Sequence, residues 1–165
     1  MKRFITPLLL VLFTNLCLAQ GSEKEVNTQV WKPFIEAYAK FDTDKFMSLH
    51  SSNLIRVSQD EKKIFTFSEY KKNIARENQF NKNYNIKANI EFRFLERIYA
   101  GTLGHETGIF KIYIIENTGK SATVYGKFQV TLQKEKGSWK ILVDSDTSEG
   151  GTVTEKDFQA AKPME

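Results

Sequence analysis

Cysteine is almost missing from this 165-residue chain: Cys17 is the only one, and it sits in a leader that reads as removable. A chain with no second thiol can form no internal disulfide, and once the leader is gone it has no thiol nucleophile and no cysteine metal site. Histidine is nearly as scarce. His50 and His105 are the only two, no His-x-x-x-His pair exists, and His105 and Glu106 are strand neighbours that project to opposite faces. The sequence therefore offers no transition-metal ligand set, and no cofactor is implied. A glycine-rich phosphate loop and a Gly-x-Ser-x-Gly elbow are also absent. Charge of one sign is lacking as well, with 24 Lys and Arg against 20 Asp and Glu. The densest basic stretch, Lys62-Lys63 followed by Lys71-Lys72 and Arg76, is interleaved with Glu61, Glu69 and Glu77. That pattern describes a solvated face and excludes a concentrated nucleic-acid surface.

One apolar run is present, at the start. Lys2-Arg3 precede Pro7-Leu8-Leu9-Leu10-Val11-Leu12-Phe13, and small residues follow at Cys17 and Ala19. A cationic start, a short apolar stretch and a small-residue site predict a signal peptide over residues 1–19, cleaved after Ala19, and hence an exported protein, periplasmic or secreted. The run is too short for the roughly 20 residues of a bilayer span. A lipid attached at Cys17 is the alternative, but Thr14-Asn15-Leu16 are not the small residues expected before it. Removal of the leader takes away two cations, leaving a nearly neutral chain of roughly 150 residues, enough for one core without staples.

Val26, Val30, Phe34, Ile35 and Tyr38 recur at three- and four-residue steps and predict a helix from about Glu23 to Lys40, kinked or started late at Pro33. Asp42 or Thr43 caps a second helix over Asp44–His50, and Ser68 a third that frays by about Asn81. A hairpin, Asn53–Ser58 and Lys63–Phe67, separates these last two. From Ile90 onward the period changes to two. Ile90, Phe92, Phe94 and Ile98 share an apolar face interrupted only by Glu96. Further strands follow over 109–116, 122–133 and 138–144. Helices ahead of consecutive strands give an α+β fold: three helices against one face of a strongly curved, mainly antiparallel sheet of about six strands. Residues 20–147 form this domain, and residues 148–165 a polar tail in which Glu155 to Ala161 forms a loose helical turn or two.

The stretches Val30-Trp31-Lys32-Pro33-Phe34-Ile35-Glu36-Ala37-Tyr38, Asp42-Thr43-Asp44-Lys45-Phe46, Tyr125-Gly126-Lys127-Phe128 and Gly137-Ser138-Trp139-Lys140-Ile141 with Asp144 resemble the nuclear transport factor 2-like superfamily. That is the cone fold of ketosteroid isomerases and SnoaL-type cyclases. The resemblance spans about 26–146 and implies a pocket between helices and sheet, but no single chemistry.

Within such a cone the residues leave several readings open. Tyr38 and Tyr70 lie on inner helix faces. Arg56 shares a strand face with Leu54 and Ser58; turned inward it needs a carboxylate, and Glu106 is the expected partner. Asp144 and Asp146 fall on the strand face opposite Trp139, so simple alternation points them outward and leaves an isomerase without its base; an inverted strand would put both in the pocket. Asp144, Asp146, Ser148 and Glu155 also imitate a calcium loop, but Glu149 stands where its turn requires glycine. His50 is expected to serve a helix C-terminus. These residues favour a non-catalytic protein binding a small, partly apolar ligand among Tyr38, Arg56, Tyr70 and Glu106. The alternatives are a SnoaL- or ketosteroid-isomerase-like enzyme, and a homodimer formed through the wet sheet face of Tyr113, Tyr125, Lys127 and Gln129.

Overall fold

The computed structural model describes residues 22–165; the expected leader, its cleavage point and Cys17 lie outside the described residues. The first helical stretch passes through a π-helical turn (Asn27–Trp31) into α1 (Lys32–Ala39). Pro33 supplies a reason for the turn, because it has no amide to donate and its ring crowds the carbonyl four residues back. Widening the ladder, with the Lys32 N–H donating to the Asn27 carbonyl, absorbs that misfit without ending the helix. The turn keeps Val26, Val30, Trp31 and Phe34 on the buried side.

Asp42 caps α2 (Thr43–Ser48), accepting from the Lys45 N–H at 3.0 Å. His50, expected to close that helix, instead opens β1 (His50–Ser58), which pairs antiparallel with β2 (Lys63–Thr66). The next helix, α3 (Phe67–Asn83), is capped by Thr66 and not Ser68, in a reciprocal box with Glu69. Four long strands follow: β3 (Lys87–Ala100), β4 (Leu103–Ile115), β5 (Ser121–Glu135) and β6 (Ser138–Thr147). With the two-residue β7 (Lys162–Pro163) they make a seven-stranded sheet in the order β2-β1-β6-β5-β4-β3-β7, antiparallel except where β1 runs parallel to β6. The fold is the α+β, mainly antiparallel arrangement that the order of elements implies. Helices and sheet meet through aromatic rings: Trp31 lies 4.6 Å from Phe92 and 5.3 Å from Phe128 between ring centres, and Phe34 lies 5.3 Å from Phe92.

Two places break the period-two pattern, and both matter for the site. In β3 the register slips between Phe94 and Glu96, so Leu95 is an extra residue. Beyond it Arg97 and Tyr99 turn inward, while Ile98, expected on the apolar face, is exposed. In β6, Leu132 pairs with Ile141 and Thr131 with Val143, leaving Leu142 unpaired. A bulge adds one residue to one strand and so inverts every side chain downstream. Trp139 and Ile141 stay in the core as expected, but Asp144 and Asp146 now share their side of the sheet. Their outward placement by simple alternation is overturned.

The C-terminal segment forms the expected helical turns and packs back on the sheet. After a 3-10 turn (Glu149–Gly151) comes α4 (Glu155–Ala160), capped by a Thr154–Asp157 box. Val153, Phe158 and Ala161 pack on Ile109, covering part of the sheet's outer face. The Tyr125 hydroxyl donates to Glu155, and Lys127 pairs with Glu149 at 2.8 Å. Two of the four residues expected on a free outer face are thus engaged by the chain itself.

Candidate functional site

Between the helices and the sheet lies a cavity of about 920 Å³. Its walls are mainly aromatic and aliphatic: Trp31 and Phe34 from the first helical stretch, Phe92, Phe110 and Phe128 from the sheet, and Ile74 from α3. Gly126 shapes one wall. A Cβ there would meet the Phe110 ring at 2.3 Å, so only glycine leaves room for that ring. Glu61, Lys63, Arg76 and Phe80 stand among the lining residues, with Lys63 paired to Glu61 at 2.9 Å and exposed.

Besides these charged residues, a buried polar cluster interrupts the apolar walls. Arg56, on β1, is only 9% exposed and Asp144, on β6, only 8%. The parallel pairing of these strands sets Arg56 opposite Asp144 and Ser58 opposite Asp146. Arg56 Nη2 donates to Asp146 Oδ2 at 2.6 Å, and its Nη1 to the main-chain oxygens of Val57 at 2.7 Å and Asp144 at 3.4 Å. Arg56 Nε lies 3.5 Å from Asp144 Oδ2, close enough to attract but without hydrogen-bond geometry. The guanidinium carbon sits 5.3 Å from the centre of the Tyr70 ring.

Burial governs the protonation of this cluster. It raises the Asp144 carboxyl above the usual carboxylate range against the opposing pull of Arg56. Asp146 is raised for the same reason, with Arg56 again opposing. For Arg56, burial favours the neutral form, but Asp144, Tyr70 and Asp146 outweigh it and hold the guanidinium charged. Tyr70 is pushed far up by burial first and then by Asp144, while Tyr38 rises to about 12 through burial and the charges of Glu77 and Asp146. Both hydroxyls keep their protons at neutral pH. Glu77 on α3 is also raised, chiefly by burial.

Of the four residues predicted for the pocket, Tyr38, Arg56 and Tyr70 line the cavity. Glu106 does not, and it is not the partner of Arg56. It is fully buried in a separate cluster, where it accepts from Trp31 Nε1 at 2.6 Å and from the Tyr99 hydroxyl and pairs with Arg97 at 2.6 Å. The Leu95 bulge creates that cluster by turning Arg97 and Tyr99 inward beside Glu106. The partners of Arg56 are the two aspartates that alternation had turned away. His50 does serve a helix end, its Nδ1 3.0 Å from the Phe46 carbonyl, and burial pushes it down to about 4. Among the described residues no group of three or more His, Cys, Asp or Glu is arranged to hold a metal ion.

No family model matches the sequence, and no curated protein matches it. Solved structures do match. A nuclear transport factor 2-like superfamily protein from Salmonella enterica serovar Typhimurium superposes with a TM-score of 0.63 at 11% identity, over 78% of this chain and 91% of that one. A nuclear transport factor 2-like protein of unknown function from Pseudomonas putida gives 0.61 at 11%, over 78% and 87%. This chain has the nuclear transport factor 2-like fold. A ketosteroid isomerase-like protein from Erwinia carotovora atroseptica matches the cone too, with a TM-score of 0.55 at 10% identity over 74% and 95%. Identities this low establish the shared fold alone, so the chemistry of the cavity must be argued from its own residues.

Proposed function

We propose that this nuclear transport factor 2-like cone is an exported, non-catalytic protein that binds a small, partly apolar molecule in its cavity. The observation that carries the reading is the cavity itself: about 920 Å³, walled largely by aromatic and aliphatic side chains, with Arg56, Asp144 and Asp146 among its polar lining. Ligand sites are typically of this size, mostly apolar, with few convergent polar groups. Arg56 is neutralised by two carboxylates, an arrangement suited to orienting a ligand and poorly suited to attacking one.

Trp31 lines the cavity and supplies the test. Trp31 and Trp139 are the only tryptophans, so a Trp139→Phe variant reports on Trp31 alone. Titration with a neutral apolar probe such as ethylbenzene is expected to give a saturable change in Trp31 emission and a rise in melting temperature. Enlarging Ile112 to Phe should weaken both. No change in either signal at saturating probe would overturn the proposal.

A second reading is favoured by one observation: burial holds a carboxyl above its usual range beside a tyrosine in an apolar cavity. That is the environment in which a carboxyl can pass a proton to or from carbon next to a carbonyl, and one structural relative is described as ketosteroid isomerase-like. Exchange of α-protons for deuterium in simple cyclic ketones, lost in Asp144→Asn, would support the enzyme; an uncatalysed rate would dismiss it.

Export rests on the leader's pattern, and the mass of the processed protein, short by residues 1–19, tests it. A homodimer through the outer face would have to form around the C-terminal segment at Tyr125 and Lys127. A single monomer peak on gel filtration at micromolar concentration would count against it.

A further inference from the structure

The sheet divides the cavity by strand into an apolar half and a polar half. β3, β4 and β5 line it with Ile90, Phe92, Phe110, Ile112, Phe128 and Val130, every one apolar. β1, β2 and β6 line it with Arg56, Ser58, Lys63, Asp144 and Asp146, and Phe65 and Ile141 are their apolar exceptions. The order β2-β1-β6-β5-β4-β3 keeps each set of strands together, so the boundary falls once, between β6 and β5.

The division runs along the strands and is not confined to one end. Asp144 stands beside Val130 on β5 and Arg56 on β1; at the next level Asp146 stands beside Phe128 and Ser58, and Ser58 beside Lys63. The helices continue it. α3 packs on β1 and β2 and sets Tyr70 against Arg56, while α1 packs on β3, with Trp31 and Phe34 resting on Phe92. Tyr38, at the far end of α1, is close enough to feel the charge of Asp146 and joins the polar side.

Within the polar half both signs of charge stand together: Arg56 with Asp144 and Asp146, Lys63 with Glu61, and Arg76 next to Glu77 in α3. Neither an anion nor a cation finds a surplus of the opposite sign there, whereas a neutral polar group finds donors and acceptors alike. The half-buried Ser58 hydroxyl, which has no partner among the described residues, is one of them. A molecule with a polar head and an apolar tail, lying along such a cavity, lays part of its tail on the polar half, where buried polar groups lose water without gaining a partner.

We infer that the cavity takes an uncharged, laterally amphiphilic molecule: a ring system with neutral polar groups along one long edge, facing β1, β2 and β6, and bare hydrocarbon along the other, against β3, β4 and β5. The assignment rests on the binding reading above and adds to it where the ligand's polar atoms must stand.

Isomeric naphthalenediols test it, because they have the same atoms and differ only in where the polar groups stand. Both hydroxyls lie on one long edge in 1,8-dihydroxynaphthalene, on opposite long edges in 1,5-dihydroxynaphthalene and at one end in 2,3-dihydroxynaphthalene. Calorimetric titration into the protein, with ethylbenzene as the apolar reference, should show the one-edge isomer binding about tenfold more tightly than either other, the worth of about one hydrogen bond that they leave unmade. Ile112→Asn places an amide in the apolar half and should bring the two-edge isomer to within about twofold of the one-edge isomer. Its melting transition reports whether that variant is folded; if it is not, the wild-type series decides. A one-edge isomer no tighter than the two-edge isomer, a one-end isomer that binds tightest, or a folded asparagine variant with an unchanged preference overturns the lateral assignment, and ethylbenzene binding then leaves the binding cone standing. Failure of ethylbenzene and all three diols overturns the binding reading and this inference with it.

Discussion

Replacing Arg56 with methionine removes the one cation from a cluster that holds two carboxylates inside the cone, and the consequence depends on pH in a calculable direction. In the native protein Asp146 lies 2.6 Å and Asp144 3.5 Å from the guanidinium. At an effective dielectric constant of about 20, unit charges at about 3 Å attract by about 5 kcal/mol. The desolvation already spent on the arginine offsets part of this, Asp146 is partly screened, and methionine recovers some apolar contact. Removing one member of a buried pair is known to cost about 3–5 kcal/mol, and the lower end applies here. The sign of the pH dependence follows from the raised carboxyls. A carboxyl raised on folding is protonated in the native state over a range where the unfolded chain has already ionised. Its native state therefore loses stability as pH climbs from the ordinary value of 3.8 towards the raised one. Arg56 is the influence that limits this rise. Without it the range extends upward, and the deficit of the variant grows with pH. Urea unfolding should show Arg56→Met destabilised by about 3 kcal/mol near neutrality and by about 1 kcal/mol or less near pH 4. Adding Asp144→Asn should recover much of the neutral-pH loss. An equal deficit at both pH values would mean that the aspartates do not feel the arginine.

Other outcomes follow from the packing. Trp139→Ala should lower stability by about 3–5 kcal/mol in urea unfolding, since the side chain is buried against Tyr99 and donates to Glu25; a loss below about 1 kcal/mol would place it outside the core. Glu106→Ala leaves Arg97 and Trp31 without their buried acceptor and should cost about 3–5 kcal/mol in urea unfolding; a loss below about 1 kcal/mol would show that Glu106 does not hold them. The His50 ring resonance should not titrate until pH falls to about 4. Because the folded value is depressed, the stability that His50 contributes is present above its unfolded value of about 6.5 and is lost as pH falls towards 4. A midpoint near 6.5 would mean that the ring is solvated.

The three- and four-residue periodicity located α1 and the alternation from Ile90 onward located β3 to β6, because local burial patterns set both; α3, which has no buried residue, was located by its capping signal. The cone itself was legible from the order of elements and from stretches such as Gly137-Ser138-Trp139-Lys140-Ile141. What alternation could not supply was parity after a bulge. One extra residue at Leu142 moved Asp144 and Asp146 from solvent to the cavity beside Arg56, and one at Leu95 turned Arg97 towards Glu106. A trace of both bulges is present in the sequence as runs that violate strict alternation: Ile141-Leu142-Val143 is three apolar residues in a row, and Phe94-Leu95 is two. The role of the last residues was also written in the chain. Thr154 and Asp157 have capping-box spacing, and Val153, Phe158 and Ala161 are apolar at helix-like intervals. Their partner, Ile109, lies on a face that had been assigned to water, so no local pattern could reveal the contact.

Asp144 and Asp146 lie inside the cone on Arg56, and the carboxyl carbons of these two residues sense that placement. Carbon-detected NMR titration should place both midpoints above the ordinary aspartate value of 3.8, with both resonances shifting when ethylbenzene is added. Midpoints at or below 3.8, unmoved by the probe, would put the two acids on the outer face and contradict the account.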